Sequence, residues 1–317
     1  MANETEVYKN KLSAMVTEIE KAVVGKRRET KLLLTAVLAG GHVLIEDVPG
    51  TGKTTLASAV AAVCGLSFKR AQFTPDLMAS DITGFNIYNR QKETFSFTEG
   101  LVMCNILLAD EINRASPKTQ SALLEAMEEG KVTVDGVSYT LPDPFTVIAT
   151  QNPVGFVGTY PLPEAQLDRF AVKITLGYPT AAEEAKILAD RHGANPLLSV
   201  TRLTDAEELL EMKKLIAEVT TDEKIYSYIV DLTSKTRKNE AFALGASPRA
   251  SLIIMKMAQA TAFMNGRDYV IPEDVAAVFV PVTAHRVVLR REARSAGASV
   301  ESILYDILKN TNVPYKS

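Results

Sequence analysis

The chain has 317 residues, 46% of them hydrophobic and 23% charged. That balance suits one large or two ordinary globular domains and excludes a disordered chain, which needs lower hydrophobicity and more net charge. With 35 basic against 38 acidic residues the net charge is −3, so overall electrostatics give no case for a nucleic-acid partner. Cys64 and Cys104 lie in apolar stretches and read as buried core residues of a reducing compartment. His42, His192 and His285 are far apart and share no metal-ligand spacing with them. The N-terminus, MANETEVYKN, lacks an apolar core, and no apolar run approaches the ~20 residues a membrane span needs. The expected location is cytoplasmic.

In chain order, residues 5–38 read as helical, with the period broken near Val24 and Gly25. Short apolar runs at 42–46, 68–73, 105–110, 145–150 and 171–176 then alternate with helical patterns, which predicts a parallel sheet covered by helices. Runs such as NILLAD and FTVIAT are apolar at consecutive positions, as strands buried on both faces require. Two stretches, 82–97 and 131–141, predict β-hairpins, the second because Asp135-Gly136 suits a tight turn. Beyond about residue 200 helical periods dominate, at 204–219, 222–238, 248–264, 272–289 and 300–309, with start signals at Thr221-Asp222, Ser247-Pro248 and Ile271-Pro272. The expected division is an α/β core over 1–200 and a helical domain over 201–317. Arg286, Arg290, Arg291 and Arg294 read as one solvated helix face.

The chemistry begins at residues 43–57, VLIEDVPGTGKTTLA. An apolar strand runs through a glycine-rich turn into a helix. Gly50 and Gly52 let successive backbone N–H groups curl around an anion, and the helix starting near Lys53 points its positive end there. Lys53 adds a full charge near the β- and γ-phosphates of a nucleotide, and the Thr54 hydroxyl can ligate Mg²⁺. The full GxxxxGK[ST] pattern wants glycine at position 47, where this chain has Asp47; aspartate tolerates unusual backbone angles better than most residues.

ILLADE at 106–111 is an apolar strand ending in two acids. Asp110 would hold Mg²⁺ through water, and Glu111 would orient or deprotonate an attacking water. Asn152, ending FTVIATQN, either bonds that water or caps the turn before Pro153. Arg169, near the end of PEAQLDRF, suits transition-state phosphoryl charge or else pairs on the surface with Glu164 or Asp168. Arg249, at the helix start after Ser247-Pro248, is by itself a surface arginine.

Together these motifs resemble a AAA+ ATPase, and most closely the MoxR family. The resembling stretches are VVGK (23–26), LIEDVPGTGKTTLA (44–57), RAQFTPDLMASDITG (70–84), ILLADEINRASPKTQSALLEAMEE (106–129), FTVIATQNP (145–153), YPLPEAQLDRF (160–170) and GASPRA (245–250). The resemblance implies a P-loop AAA+ core with a five-stranded parallel sheet and a C-terminal all-helical lid. It implies Walker A residues over Gly50, Thr51, Gly52, Lys53, Thr54 and Thr55, and Walker B acids at Asp110 and Glu111. It further implies sensor 1 at Asn152, an arginine finger for a neighbouring subunit at Arg169, and sensor 2 in the lid at Arg249. Val24 and Gly25 match the segment that contacts adenine. Asp47 is similar to what many members carry. The 82–97 hairpin resembles the helix 2 insert and 131–141 the hairpin before sensor 1, both facing the central pore in related rings. ATP or ADP with Mg²⁺, a ring (usually a hexamer) and a protein client with a von Willebrand A domain are implied in the same way.

The expected mechanism is ATP hydrolysis at a subunit boundary. Arg169 comes from the neighbour, and Arg249 reports phosphate loss to the lid. Two readings compete. One is a DNA motor or loader, supported by the C-terminal arginines and opposed by the acidic charge and the lack of a DNA-binding motif. The other is a non-hydrolysing switch, disfavoured by Glu111 and Arg169.

Overall fold

A computed structural model describes residues 2–90, 93–152, 159–190 and 196–315. His192, Pro153 and hairpin residues 91 and 92 lie outside the described residues. In chain order the first nine strands are β1 (Val43–Glu46), β2 (Phe68–Gln72), β3 (Gly84–Asn89), β4 (Thr94–Glu99), β5 (Ile106–Asp110), β6 (Lys131–Val134), β7 (Val137–Thr140), β8 (Thr146–Gln151) and β9 (Val172–Ile174). Five of them form one sheet in the order β2-β5-β8-β1-β9, and every neighbouring pair is parallel. β5 is buried along its whole length, which explains why its sequence carries no polar alternation.

The sheet divides two cores. Val43, Ile45, Ile106, Leu108, Ile148 and Val172 face a large cluster shared with the helices on that side and with the C-terminal helices. The residues between them, Leu44, Leu107, Ala109, Val147 and Ala149, face a smaller cluster with Leu123, Leu124 and Met127 of the helix Pro117–Glu129. That helix has its start and stop written locally. The Ser116 hydroxyl accepts from the Thr119 N–H, Pro117 follows, and Gly130 ends it at φ 62°.

β3 pairs with β4 and β6 with β7, both antiparallel. Asp135 and Gly136 take φ of 49° and 80°, the backbone that a two-residue hairpin turn demands. The hairpins touch each other. Phe97 stacks on Tyr139 with ring centroids 3.8 Å apart, and Asn86 Nδ2 donates to Asp135 Oδ2 at 2.7 Å. Phe85, Ile87, Tyr88 and Phe95 remain exposed on the first hairpin.

The C-terminal part holds helices Ala206–Ala217, Glu223–Lys238, Pro248–Met264, Pro272–Thr283, Arg291–Ser295 and Val300–Lys309. The N-terminal helix Ala2–Glu20 packs there too, with Tyr8 5.8 Å from Phe263 between ring centroids. The helix expected over 272–289 stops at Thr283. Beyond it, β11 (Val288–Leu289) pairs with β10 (Phe242–Leu244): β-branched residues that continue an apolar period also suit a strand. Arg286 therefore leaves the helix and is 4% exposed, while Arg290, Arg291 and Arg294 are exposed. The four arginines do not form one solvated face. Among the described residues no helix is long and apolar enough to cross a membrane.

His42, just ahead of β1, stitches the lower edge of the sheet. Its Nδ1 accepts from the Val147 N–H and its Nε2 bonds the Met127 carbonyl, both at 3.0 Å. Burial lowers its pKa from 6.5 to about 4, so the folded chain keeps it neutral where the unfolded chain takes a proton. This contribution is full above about pH 6.5 and falls as pH drops toward 4, by about 3 kcal/mol in total. Urea midpoints should decline over that window, with a shallower decline in His42→Gln.

Candidate active site

The parallel register brings four strand ends into one row. Gln72 stands beside Asp110 and Glu46 beside Gln151, and Asp110 and Thr150, each one residue past the Ala109–Ala149 pair, meet through a side-chain hydrogen bond. A crevice beyond the carboxyl ends of such strands is where open α/β sheets bind ligands. Here it is a pocket of about 400 Å³ lined by Gly50, Gly52, Lys53, Thr54, Thr55, Asp110, Glu111 and Asn152, among others.

The turn after β1 builds one wall. Gly50 and Gly52 take φ of 87° and 91°, and a Cβ on either would project into open space. Such a left-handed, side-chain-free rim leaves room for a phosphate to approach the amides. The helix Lys53–Val63 starts at this point and has no side-chain cap. Its first N–H groups are therefore available to an anion. Lys53 Nζ lies over the loop, donating to the carbonyls of Asp47 (2.8 Å) and Val48 (3.1 Å). Thr51 points inward, its hydroxyl donating to the Val48 carbonyl at 3.3 Å, so only its amide can serve a ligand. Asp47 is buried, and its carboxylate accepts from the N–H groups of Val48, Leu176 and Gly177 at 2.7–2.8 Å. Val24 and Gly25 lie between the two N-terminal helices, outside the pocket lining. The next residue, Lys26, is buried and donates to the Leu176 carbonyl at 2.6 Å.

The acids form the other wall. Thr150 is buried between them: its hydroxyl donates to Asp110 Oδ1 at 2.7 Å and accepts from the Glu111 N–H at 2.8 Å. Arg70 pairs with Asp110 Oδ2 at 2.7 Å. Glu111 sits at φ 54°, ψ 51°, a left-handed position that costs a non-glycine residue and recurs at functional sites. There the chain turns straight from β5 into a short 3₁₀ turn, and the carboxylate is held by Gln72 Nε2 (2.8 Å) and Arg114 (2.9 Å). Thr54 and Asp110 offer hard oxygen donors in the same pocket, which fits Mg²⁺, a cation that keeps waters and leans on substrate phosphates.

The two remaining arginines lie elsewhere. Arg169 pairs with Glu128 at 3.0 Å, not with Glu164 or Asp168, and Arg249 pairs with the other oxygen of the same carboxylate. The cavity beside them is lined by Gly40, Gly41, His42 and Ala171. These residues precede β1 and β9, so the cluster is at the opposite end of the sheet from the phosphate loop. The helix Pro117–Glu129 spans that separation, roughly 20 Å at 1.5 Å per residue. Arg249, the expected sensor 2, therefore lies away from the phosphate pocket of its own chain. The orientation of the C-terminal helices on the core takes it to the far side.

Comparison with known proteins gives the family. Residues 42–172 match the model of the ATPase family associated with various cellular activities (AAA), and residues 234–307 match the AAA lid domain. The chain is 48% identical to the uncharacterized protein YeaC of Bacillus subtilis over 96% of this chain and 95% of that one. It is 41% identical to the chaperone MoxR1 of Mycobacterium tuberculosis over 96% of this chain and 82% of that one. The chain belongs to the MoxR family of AAA+ ATPases. A solved structure of a candidate ATPase from Cytophaga hutchinsonii superposes with a TM-score of 0.90 at 39% identity, covering 98% of this chain and 97% of that one.

Within this MoxR-family fold the pocket holds residues that motif reading passed over. Arg70, Gln72 and Thr150 all touch the two acids. For Gln72 and Thr150 the signal was position, at or next to the carboxyl end of a predicted strand; Arg70 lies mid-strand, opposite Leu108, and reaches Asp110 along the sheet with its long side chain.

Proposed function

We propose that this chain hydrolyses ATP with Mg²⁺ at a boundary between subunits and uses the cycle to remodel a client protein. One observation carries the reading: the glycine-rim loop and helix start at 50–55 share a pocket with Asp110, Glu111 and Asn152. The loop amides and Lys53 bind the phosphates, with Lys53 exchanging its carbonyl contacts for phosphate oxygens. The Thr54 hydroxyl and, through water, Asp110 would hold Mg²⁺, which would supply charge neutralisation for the phosphates. Glu111 takes a proton from the attacking water, and Asn152 orients that water. Val24 and Gly25 sit on the base side. The products are ADP and inorganic phosphate.

Arg169 and Arg249, at the far end of the sheet, are supplied together to the nucleotide of a neighbouring subunit in a ring, most simply a hexamer. The exposed aromatics of the β3–β4 hairpin supply an apolar surface for a client, and Phe97 of the same hairpin, stacked on Tyr139, ties that surface to the β6–β7 hairpin, whose Lys131 and Thr133 line a cavity with Glu128 and Arg169. The chaperone name of the mycobacterial relative supports a protein client, and a von Willebrand A domain is the partner class that the family resemblance favours. Turnover per subunit should rise steeply with protein concentration and plateau when light scattering reports a closed oligomer. A rate per subunit that stays flat through dissociation would sink the shared-site reading.

A further inference from the structure

Glu128 is not the only group holding the arginine pair. Asp168, immediately before Arg169, accepts from Arg286 Nε at 2.8 Å and from the Ser247 hydroxyl at 3.0 Å. Ser247 caps the helix Pro248–Met264, which carries Arg249 in its first turn. Arg286 also donates to the carbonyls of Asp168 (3.1 Å), Phe170 and Ala171 (3.2 Å), the main chain on either side of Arg169. Burial lowers its pKa to about 10, which leaves it charged at neutral pH.

The C-terminal part thus grips the backbone of one arginine through Arg286 and the helix cap of the other through Ser247, both on Asp168. Glu128 then joins the two guanidinium tips. Two like charges brought together repel, and a carboxylate between them offsets the repulsion while fixing their separation. An exposed ion pair adds little to stability, so the geometry is better explained by aim than by folding.

We propose that Glu128, Asp168 and Arg286 are positioning residues that set Arg169 and Arg249 as one two-pronged unit for a neighbouring subunit's γ-phosphate. The inference rests on the shared-site reading above. Glu128→Gln, in full-length protein, should keep its melting temperature and ATP affinity while kcat falls roughly tenfold to a hundredfold, the scale of a misplaced catalytic group. Asp168→Asn should move the same parameter in the same direction. Mixing Glu128→Gln with Lys53→Ala should restore turnover, because the Lys53→Ala subunits carry an intact arginine pair. An unchanged kcat in Glu128→Gln beside an inactive Arg169→Ala would overturn the positioning role alone. Weakened ATP binding in place of the kcat loss, or no rescue despite co-assembly, would overturn it too. Full activity in Arg169→Ala would instead remove the shared-site reading beneath it.

Discussion

Glu111→Gln should bind ATP with near-native affinity and turn it over at least about a hundredfold more slowly, within the ~10²–10⁴ range of general-base catalysis. The amide keeps the size and the left-handed backbone of the residue, and can still pair with Gln72 and Arg114. What it loses is basicity, so the effect should fall on kcat, by about 3–5 kcal/mol in barrier. Single-turnover hydrolysis beside equilibrium nucleotide binding separates the two. Near-normal turnover in purified protein would take the role of base away from Glu111.

Arg169→Ala should lose about 10³–10⁵ in rate, the worth of an arginine finger, with no change in ATP affinity. The distance decides the second half of that expectation. Arg169 sits on Glu128 at the far end of the sheet, roughly 20 Å from the phosphate loop of its own chain, too far to touch a nucleotide bound there. Lys53→Ala should be inactive for the opposite reason, since it damages the pocket and leaves the arginines intact. Mixed rings should then regain activity at boundaries where an intact pocket meets an intact arginine. Loss of ATP affinity in Arg169→Ala would require a route within the chain that the geometry lacks.

The phosphate loop, the paired acids and both hairpins were legible because each is written in consecutive residues: a glycine turn before a helix, an apolar run ending in acids, an Asp-Gly between β-branched neighbours. The five sheet strands were legible as runs, most to within a residue at each end, though the run at 171–176 is twice the length of β9. Thr150 and Gln72 were not, because their importance comes from register between strands that are 39 residues from Glu111 in sequence. The place of Arg249 on the core was not legible for a similar reason. The Ser-Pro start identified its helix correctly, but nothing local says on which side of the sheet that helix packs. Arg286 was hidden by its arginine neighbours, although it alone of the four is buried.

Asp47 departs from the glycine that the loop pattern expects, and its carboxylate does work that glycine could not. It takes the amides of Leu176 and Gly177, while Lys26 takes the Leu176 carbonyl from the opposite side. One peptide segment is thereby pinned between the entrance of the phosphate loop and the residues next to Val24 and Gly25. The start of the phosphate loop and the segment after Gly25 thus share one main-chain anchor, so that a shift in either strains the hydrogen bonds that hold the other.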